Sequence, residues 1–284
     1  MGNKEKVLVL YSGGLDSRLV VKLLQEQGKE IEAFHFKLPF GCGCCDLGCN
    51  FNFTQKESVK MTIMDATRGE LLDEYLEILK NPKHGTGAGI NPCRDCKIWM
   101  FSKAKEYADK AGIEKIATGE VLGQRPMSQT GYAMKLIDKE IGFTPLRPLM
   151  EEGITGRSRK KQMEMAEKYK ITYPTPGGGC LLCDKILSKR LKLLMAKNLL
   201  NQDNIFLTNV GRHFMIDGVW FIVARDSNES KVLETFDSFI PDEKGKPTIF
   251  YNSMSGMADA KQLQEAYRSG AEKIERDKFM KFKI

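Results

Sequence analysis

The residues of this chain best suited to chemistry stand in the stretch Tyr11-Ser12-Gly13-Gly14-Leu15-Asp16-Ser17 and in three groups of cysteines. Two adjacent glycines let the backbone turn tightly and approach a ligand, and the free N–H groups of a helix opening there point at whatever the turn holds. Ser12 and Ser17 add hydroxyls, and Asp16 adds a carboxylate of the kind that sets a hard cation such as Mg²⁺ against phosphate oxygens. The stretch reads as an anion loop, with a serine-capped Gly-Gly hairpin as the plainer alternative. No longer glycine loop ending in Gly-Lys-Ser/Thr is present, which argues against ordinary kinase or GTPase chemistry. The eight cysteines are Cys42, Cys44, Cys45 and Cys49, then Cys93 and Cys96, then Cys180 and Cys183. A reduced chain of this size needs no disulfide staples, so metal or sulfur chemistry is the better account of them. Four thiols between Cys42 and Cys49 suit either a structural zinc, although adjacent Cys44 and Cys45 sit awkwardly on one tetrahedron, or free and redox-active thiols beside an active site. The Cys93-x-x-Cys96 pair opens a helical pattern, where unpaired N–H groups favour thiolates, and it suits a nucleophile, a zinc site or another metal centre.

These residues need a scaffold, and the pattern around them supplies one. Lys6 to Leu10 is an apolar run that reads as a buried strand, and Leu15, Leu19, Val20, Leu23 and Leu24 recur at helix spacing after the loop. Glu30 to Lys37 and Val59 to Met64 read as further strands, Glu70 to Lys80 as an amphipathic helix stopped by Asn81-Pro82, and Cys93 to Ala111 as a helix. Lys115 to Glu120 is a fourth strand with Gly119 at its carboxyl end, the edge where doubly wound sheets bind ligands. Phe36, just past the second strand, is a candidate to stack on a nucleotide base or else a core phenylalanine; His35 reads as a buried or edge histidine. Arg125, in the polar loop after Gly119, can clamp a phosphate. Pro145 and Pro148 make Leu136 to Leu149 a segment skirting the sheet edge. Gly156 to Tyr169 is a helix whose basic start suits a phosphate backbone or a solvated face.

With 284 residues the chain exceeds one typical domain. The expected division is a nucleotide-binding catalytic domain over 1–175, a cysteine-bearing joint and basic helix over 176–204, and a small α+β domain over 205–284. In the last, Ile205 to Leu207, His213 to Ile216 and Val219 to Ala224 read as strands with an Asp217-Gly218 hairpin turn, and a charged helix with a polar tail follows from Asp259. The net charge of +7 favours a polyanionic partner such as RNA. No long apolar stretch and no apolar leader core is found, so a cytoplasmic protein without a membrane partner is expected.

Ser-Gly-Gly-Leu-Asp-Ser resembles the pyrophosphate loop of the ATP-pyrophosphatase superfamily. Together with Asn-Pro-Cys-x-x-Cys, Ala-Thr-Gly-Glu-Val-Leu-Gly-Gln-Arg-Pro-Met-Ser-Gln and Gly-Gly-Cys-Leu-Leu, it is similar to the tRNA thiouridine synthases, in the 2-thiouridylase-like or 4-thiouridine-synthase-like branch, over about residues 7 to 190. The resemblance implies an adenine-nucleotide α-hydrolase-like, Rossmann-like α/β fold with a parallel sheet, and an enzyme that adenylates a tRNA uridine carbonyl and replaces its oxygen with sulfur. It implies ATP and Mg²⁺ held by Ser12, Gly13, Gly14, Asp16, Ser17, Phe36 and Gly119, with Arg125 catalytic, and sulfur from a cysteine desulfurase relay or free sulfide. It also implies either a [4Fe–4S] cluster on Cys93, Cys96 and Cys180, leaving one iron open, or a persulfide relay through catalytic cysteines. Cys180 is preferred to Cys183 because three glycines precede it and the Gly-Gly-Cys-Leu-Leu context matches; Cys183 becomes a bystander or sulfur relay. Gly211-Arg212-His213-Phe214 and Ala224 to Glu229 resemble the small RNA-binding module of NFACT proteins. The alternative enzyme is a pyrophosphate-loop ligase or amidotransferase acting on a small molecule, against which the basic helices stand.

Overall fold

The computed structural model describes residues 4–40, 47–175 and 179–284, without the side chains of Leu47 and Gly48. Two compact units divide the chain, Met1–Lys185 and Ile186–Ile284, so the segment 176–204 is shared between them.

In the first unit the elements run β1 (Lys6–Leu10), α1 (Leu15–Glu26), β2 (Glu30–Lys37), α2 (Leu47–Lys56), β3 (Lys60–Asp65), α3 (Gly69–Lys80), α4 (Cys93–Lys110), β4 (Lys115–Thr118), α5 (Gly131–Ile141), α6 (Pro148–Glu151) and α7 (Lys160–Lys168). The four strands are parallel and ordered β3-β2-β1-β4. Side chains alternate across a strand, so Val7 and Val9 join Leu19, Val20, Leu24 and Ala166 on one face while Leu8 joins Phe34, Phe101, Ala104 and Ile116 on the other. A sheet buried on both faces is what continuous apolar strands demand, and it is the α/β fold expected from the sequence. Strand order reverses at β1, whose neighbours are β2 and β4, and the carboxyl end of β1 therefore opens into the crevice where such sheets bind ligands.

Three expectations for the chain's organisation are corrected. The segment from Leu136 begins inside a helix: Thr130 caps α5 by accepting from the Ala133 N–H, and Gly142, at φ 77°, ends it. Only its later part lies at the sheet edge, where Leu146 pairs in parallel with Ala117, between Pro145, which has no N–H, and Pro148, which starts α6. Ile205–Asn209 is a 3₁₀ helix, not a strand, with Ile205 and Thr208, three residues apart, both buried along with Leu207. The end of the chain, expected as one charged helix with a polar tail, forms two helices, Met257–Ala266 and Lys273–Met280, and its last residues are tied to a strand, Met215 N–H donating to Phe282 at 2.9 Å and Ile284 N–H to His213 at 3.1 Å. Helix α2 was not expected, because Asn50-Phe51-Asn52-Phe53-Thr54 carries no strong helix-forming run.

The second unit holds nearly all of α8 (Lys185–Ala196), then β5 (Arg212–Ile216), β6 (Val219–Val223), α9 (Ser227–Leu233), β7 (Phe239–Ile240), β8 (Ile249–Tyr251), α10 (Met257–Ala266) and α11 (Lys273–Met280). Its antiparallel sheet, ordered β5-β6-β8-β7, buries Phe214, Phe221 and Tyr251 against α10 on one face and Trp220, Ile222 and Phe250 on the other. Asp217 and Gly218 both adopt positive φ, 46° and 85°, as a two-residue hairpin turn with a right-handed twist requires. No helix among the described residues is long and apolar enough to cross a membrane.

Candidate active site

The loop after β1 is shaped by its glycines and by a buried arginine. Gly13 sits at φ +80°, and a Cβ there would lie 1.7 Å from the Asn50 Oδ1 of α2, so no side chain fits. Gly14 is the N-cap of α1 and offers no side chain, leaving the first amides of the helix uncapped from within. Ser17 Oγ donates to the Gly14 carbonyl at 2.9 Å and lies 3.4 Å from Ser12 Oγ, which keeps both hydroxyls on the loop. Beneath it, the fully buried Arg18 donates Nε to the Gly13 carbonyl at 2.7 Å, Nη1 to the Thr172 carbonyl at 2.8 Å and Nη2 to Cys49 Sγ at 3.1 Å, with its guanidinium over the Phe53 ring.

In front of the loop lies a cavity of about 580 Å³ whose wall includes Ser12, Asp16, Ser17, Phe36, Gly119 and Arg125. Six of the sequence candidates thus share one space. Asp16 Oδ2 accepts from Gln124 Nε2 at 3.1 Å, whereas its Oδ1 is buried with no hydrogen-bond partner among the described residues. Burial pushes the Asp16 carboxyl up from the usual range, opposed by Gln124, by the charges of Arg159 and Arg125, and by Gln162. Gly119 packs on the loop: a Cβ there would meet the Asp16 backbone carbon at 3.0 Å and the Ser17 nitrogen at 3.1 Å. Phe36 lines the cavity and packs on Phe34 and Trp99 at 5.2 and 5.7 Å. His35 also lines it; Nδ1 lies 2.9 Å from the Tyr11 carbonyl, which can only accept, and burial lowers the imidazole pKa, so the ring is a neutral donor.

Sequence reasoning missed several polar residues here. Lys97 of α4 lines the cavity and is ion-paired with the buried Glu120, whose other oxygen lies 3.2 Å from Arg147 Nε; Arg147 in turn grips Asp138 at 2.9 and 2.6 Å. Asn50 and Gln162 are completely buried; the Asn50 amide has no hydrogen-bond partner among the described residues, whereas the Gln162 amide acts on the Asp16 carboxyl. The position of Glu120 directly after Gly119, at the carboxyl end of a strand, was the one available signal for these.

The thiols come together at the start of α4. Cys93 is its first residue and Cys96 stands one turn on. The segment carrying Cys180 and Cys183 is docked beside them, Ile90 N–H donating to the Leu182 carbonyl at 3.1 Å and Asn91 Nδ2 to Cys183 Sγ at 3.2 Å. Cys93, Cys96 and Cys180 are half-buried and Cys183 is exposed. Burial, then the neighbouring Cys93 and Cys180, push the Cys96 thiol far above its ordinary range, and the same three sulfurs act on the buried Tyr75 hydroxyl. Burial and the neighbouring sulfurs thus oppose the pull of the helix amides on the Cys96 thiol. No three His, Cys, Asp or Glu side chains among the described residues are gathered tightly enough to hold one metal ion. The donor set nonetheless fits a positively charged soft group, because thiols that repel one another's ionisation lose their protons together once a metal sits among them. A cluster, moreover, spreads its thiolates over different irons, further apart than ligands of a single ion. Of the four thiols proposed for zinc, Cys42, Cys44 and Cys45 lie outside the described residues, and Cys49 accepts from Arg18.

Residues 2–173 match the family described as "Thiamine biosynthesis protein (ThiI)". The chain is similar to the tRNA-specific 2-thiouridylase MnmA of Helicobacter pylori strain HPAG1, 29% identical over 145 residues that cover 47% of this chain and 40% of that one. It is similar also to the MnmA of Campylobacter curvus, 24% identical over 233 residues, covering 73% of this chain and 64% of that one. The chain thus spans 40% to 64% of the length of these curated relatives. Among solved structures, a 4-thiouridine synthetase–RNA complex with bound ATP aligns with TM-score 0.43 and 19% identity, over 71% of this chain and 53% of that one. A predicted tRNA methyltransferase subunit from Methanocaldococcus jannaschii aligns with TM-score 0.40 and 13% identity, over 70% and 90%.

Proposed function

The chain belongs to the ThiI family, and we propose that it is an ATP-dependent tRNA sulfurtransferase, which adenylates a uridine carbonyl and replaces that oxygen with sulfur. The observation that carries this is the junction on α4, where Lys97 lines the phosphate-loop cavity and the preceding residue, Cys96, belongs to the group of three thiols. A ligase or amidotransferase acting on a small molecule has no use for such thiols beside its nucleotide.

A carbonyl oxygen leaves poorly, so it must first be joined to the α-phosphate of ATP with loss of pyrophosphate. The Gly13-Gly14 amides, Ser12 and Ser17 would bind the departing phosphates, and the Phe36 side of the cavity the base. Asp16 would hold Mg²⁺, which neutralises phosphate charge. Arg125 would clamp a phosphate from the loop opposite. Cys93, Cys96 and Cys180 would hold a [4Fe–4S] cluster, whose chemistry is to present hydrosulfide on an open iron. Asn91 would keep Cys183 beside them through its amide. Sulfur would come from a cysteine desulfurase relay or free sulfide, tRNA would be held by the second unit through its basic residues, and the setting would be the cytoplasm.

The test is ATP and bulk tRNA with a sulfide source, read as pyrophosphate release and as thiouridine by nucleoside mass spectrometry. Asp16→Asn should abolish thiolation with the fold intact, and a fully active variant would refute the loop's role. After anaerobic reconstitution with iron and sulfide, Cys93→Ala, Cys96→Ala and Cys180→Ala should each lose visible absorbance and activity while Cys183→Ala keeps most of both. Stoichiometric zinc on the first three, with activity indifferent to iron, would replace the cluster by a persulfide relay. Binding of tRNA should weaken steeply with salt, as phosphate contacts release counterions.

A further inference from the structure

Charged side chains line the nucleotide cavity at Lys37, Lys97, Arg125, Asp16 and Glu120. Lys37 is spent on Asp65 at 3.0 Å, at the exposed rim, with nearly half of its side chain in water. Lys97 differs, since its side chain is only 18% exposed and its partner Glu120 only 4%. A lone Lys–Glu pair so placed would be costly, and an apolar pair of similar size would serve stability as well. Here the carboxylate is not alone: its two oxygens face Lys97 and Arg147, and Arg147 is held by both oxygens of Asp138. Charges alternate from Asp138 through Arg147 and Glu120, and the last one, an ammonium, is presented to the cavity.

Along α4 the wall of the cavity runs from Lys97 to Met100 and Phe101 one turn later. Those two join Leu10, Phe34 and Phe36 in an apolar wall suited to a base, while Ser12, Asp16 and Ser17 mark the pyrophosphate end. A nucleotide lying between the two has its α-phosphate in the middle, and the thiol of Cys96 is next to Lys97 in the chain.

We infer that Lys97 is a further catalytic residue, an ammonium fixed by Glu120, Arg147 and Asp138 that binds the α-phosphate and stabilises AMP as the leaving group. In the first step, resting on the sulfurtransferase reading above, the uridine oxygen bonds to the α-phosphorus and the bond to the β-phosphate oxygen breaks, pyrophosphate taking the electron pair. In the second, hydrosulfide from the donor bonds to the uridine carbon and gives up its proton to solvent; the carbon–oxygen bond breaks and AMP leaves with that oxygen and its electron pair. Lys97 acts by its position and charge and transfers no proton in either step. Glu120, Arg147 and Asp138 are positioning residues.

The test uses the full-length protein with AMP and inorganic pyrophosphate as separate probes in calorimetry. Lys97→Met should weaken AMP about tenfold to a hundredfold, the range of a lost charge-assisted hydrogen bond, and leave pyrophosphate within twofold. Lys97→Arg should recover part of the AMP affinity. Because Lys97→Met leaves Glu120 facing one cation fewer and can unfold, the double variant Lys97→Met with Glu120→Gln removes charge and counter-charge together and should show the same selective loss. AMP affinity within twofold of wild type in either methionine variant overturns the assignment, as does an equal loss of AMP and pyrophosphate, which marks a structural role. A wild-type protein that binds neither AMP nor ATP overturns the nucleotide reading itself, whereas one that binds both while Lys97→Met keeps AMP overturns Lys97 alone.

Discussion

In the second unit the buried side chains of Trp220, His213 and Gln264 are matched: Trp220 Nε1 donates to His213 Nδ1 at 2.9 Å, His213 Nε2 meets the Val210 carbonyl at 2.7 Å, and Gln264 Nε2 reaches the Pro241 and Pro247 carbonyls. Around the loop of the first unit, Asp16 Oδ1, Ser128 Oγ, Gln129 Oε1 and the Asn50 amide have no such partner among the described residues. Each buried polar group left unmatched costs about 1–3 kcal/mol. One unit has used its polar groups to finish a core, and the other holds them open where phosphates and a cation are proposed to bind.

The contrast can be broken first where packing is densest. Trp220→Ala should cost the second unit about 3–5 kcal/mol, measured as faster amide exchange in β5 and β6, because Trp220 is wholly buried. Gly13→Ala should cost roughly 1–3 kcal/mol for its left-handed backbone and weaken nucleotide binding, since Asn50 must move. His213→Phe strands the Trp220 N–H and should cost about 1–3 kcal/mol in denaturant unfolding at neutral pH. Its pH behaviour sharpens the point. Burial, aided by Arg190, holds the His213 imidazole well below its ordinary pKa. The unfolded chain then binds a proton that the folded one refuses, so stability falls with acid below roughly pH 6.5, by about 1.4 kcal/mol per pH unit. In a Trp99→Phe background, which leaves Trp220 as the only tryptophan of the chain's two, this acid limb should be seen by fluorescence. His213→Leu, which also removes the imidazole and keeps the Trp220 signal, should flatten it; an unchanged limb would assign the proton elsewhere.

At the loop the expected signs reverse. The raised Asp16 carboxyl favours the folded state below the ordinary carboxylate range and loses that contribution as pH rises. Asp16→Asn should therefore gain a little stability at neutral pH, a gain that fades on acidification, while thiolation is lost. Gln162→Leu should be the smallest change, within about 1 kcal/mol of neutral, since it removes a buried amide whose one partner is the Asp16 carboxyl. A loss as large as that of His213→Phe would mean that the two units are built alike.

Patterns confined to one segment were legible from the sequence. β1 ends where its apolar run ends, and the Ser12 to Ser17 loop could be placed because strand, glycines and helix follow without a gap. Hidden from it was whatever depends on segments meeting: Leu146 completing the sheet edge, the last residues returning to β5, and Lys97 finding Glu120. The Cys96 thiol shows the limit best, since its place at a helix start is a local fact, whereas its burial beside Cys93 and Cys180, which opposes ionisation, arises only when segments meet.

Arg18 ties three stretches distant in sequence, bonding the loop at Gly13, α2 at Cys49 and the chain after α7 at Thr172. None of the three can loosen without giving up a bond to one buried cation, so they should behave as a single cooperative segment of the native state. Their backbone amides would then share one opening free energy, and a ligand gripping only the loop would slow hydrogen–deuterium exchange as far away as Thr172.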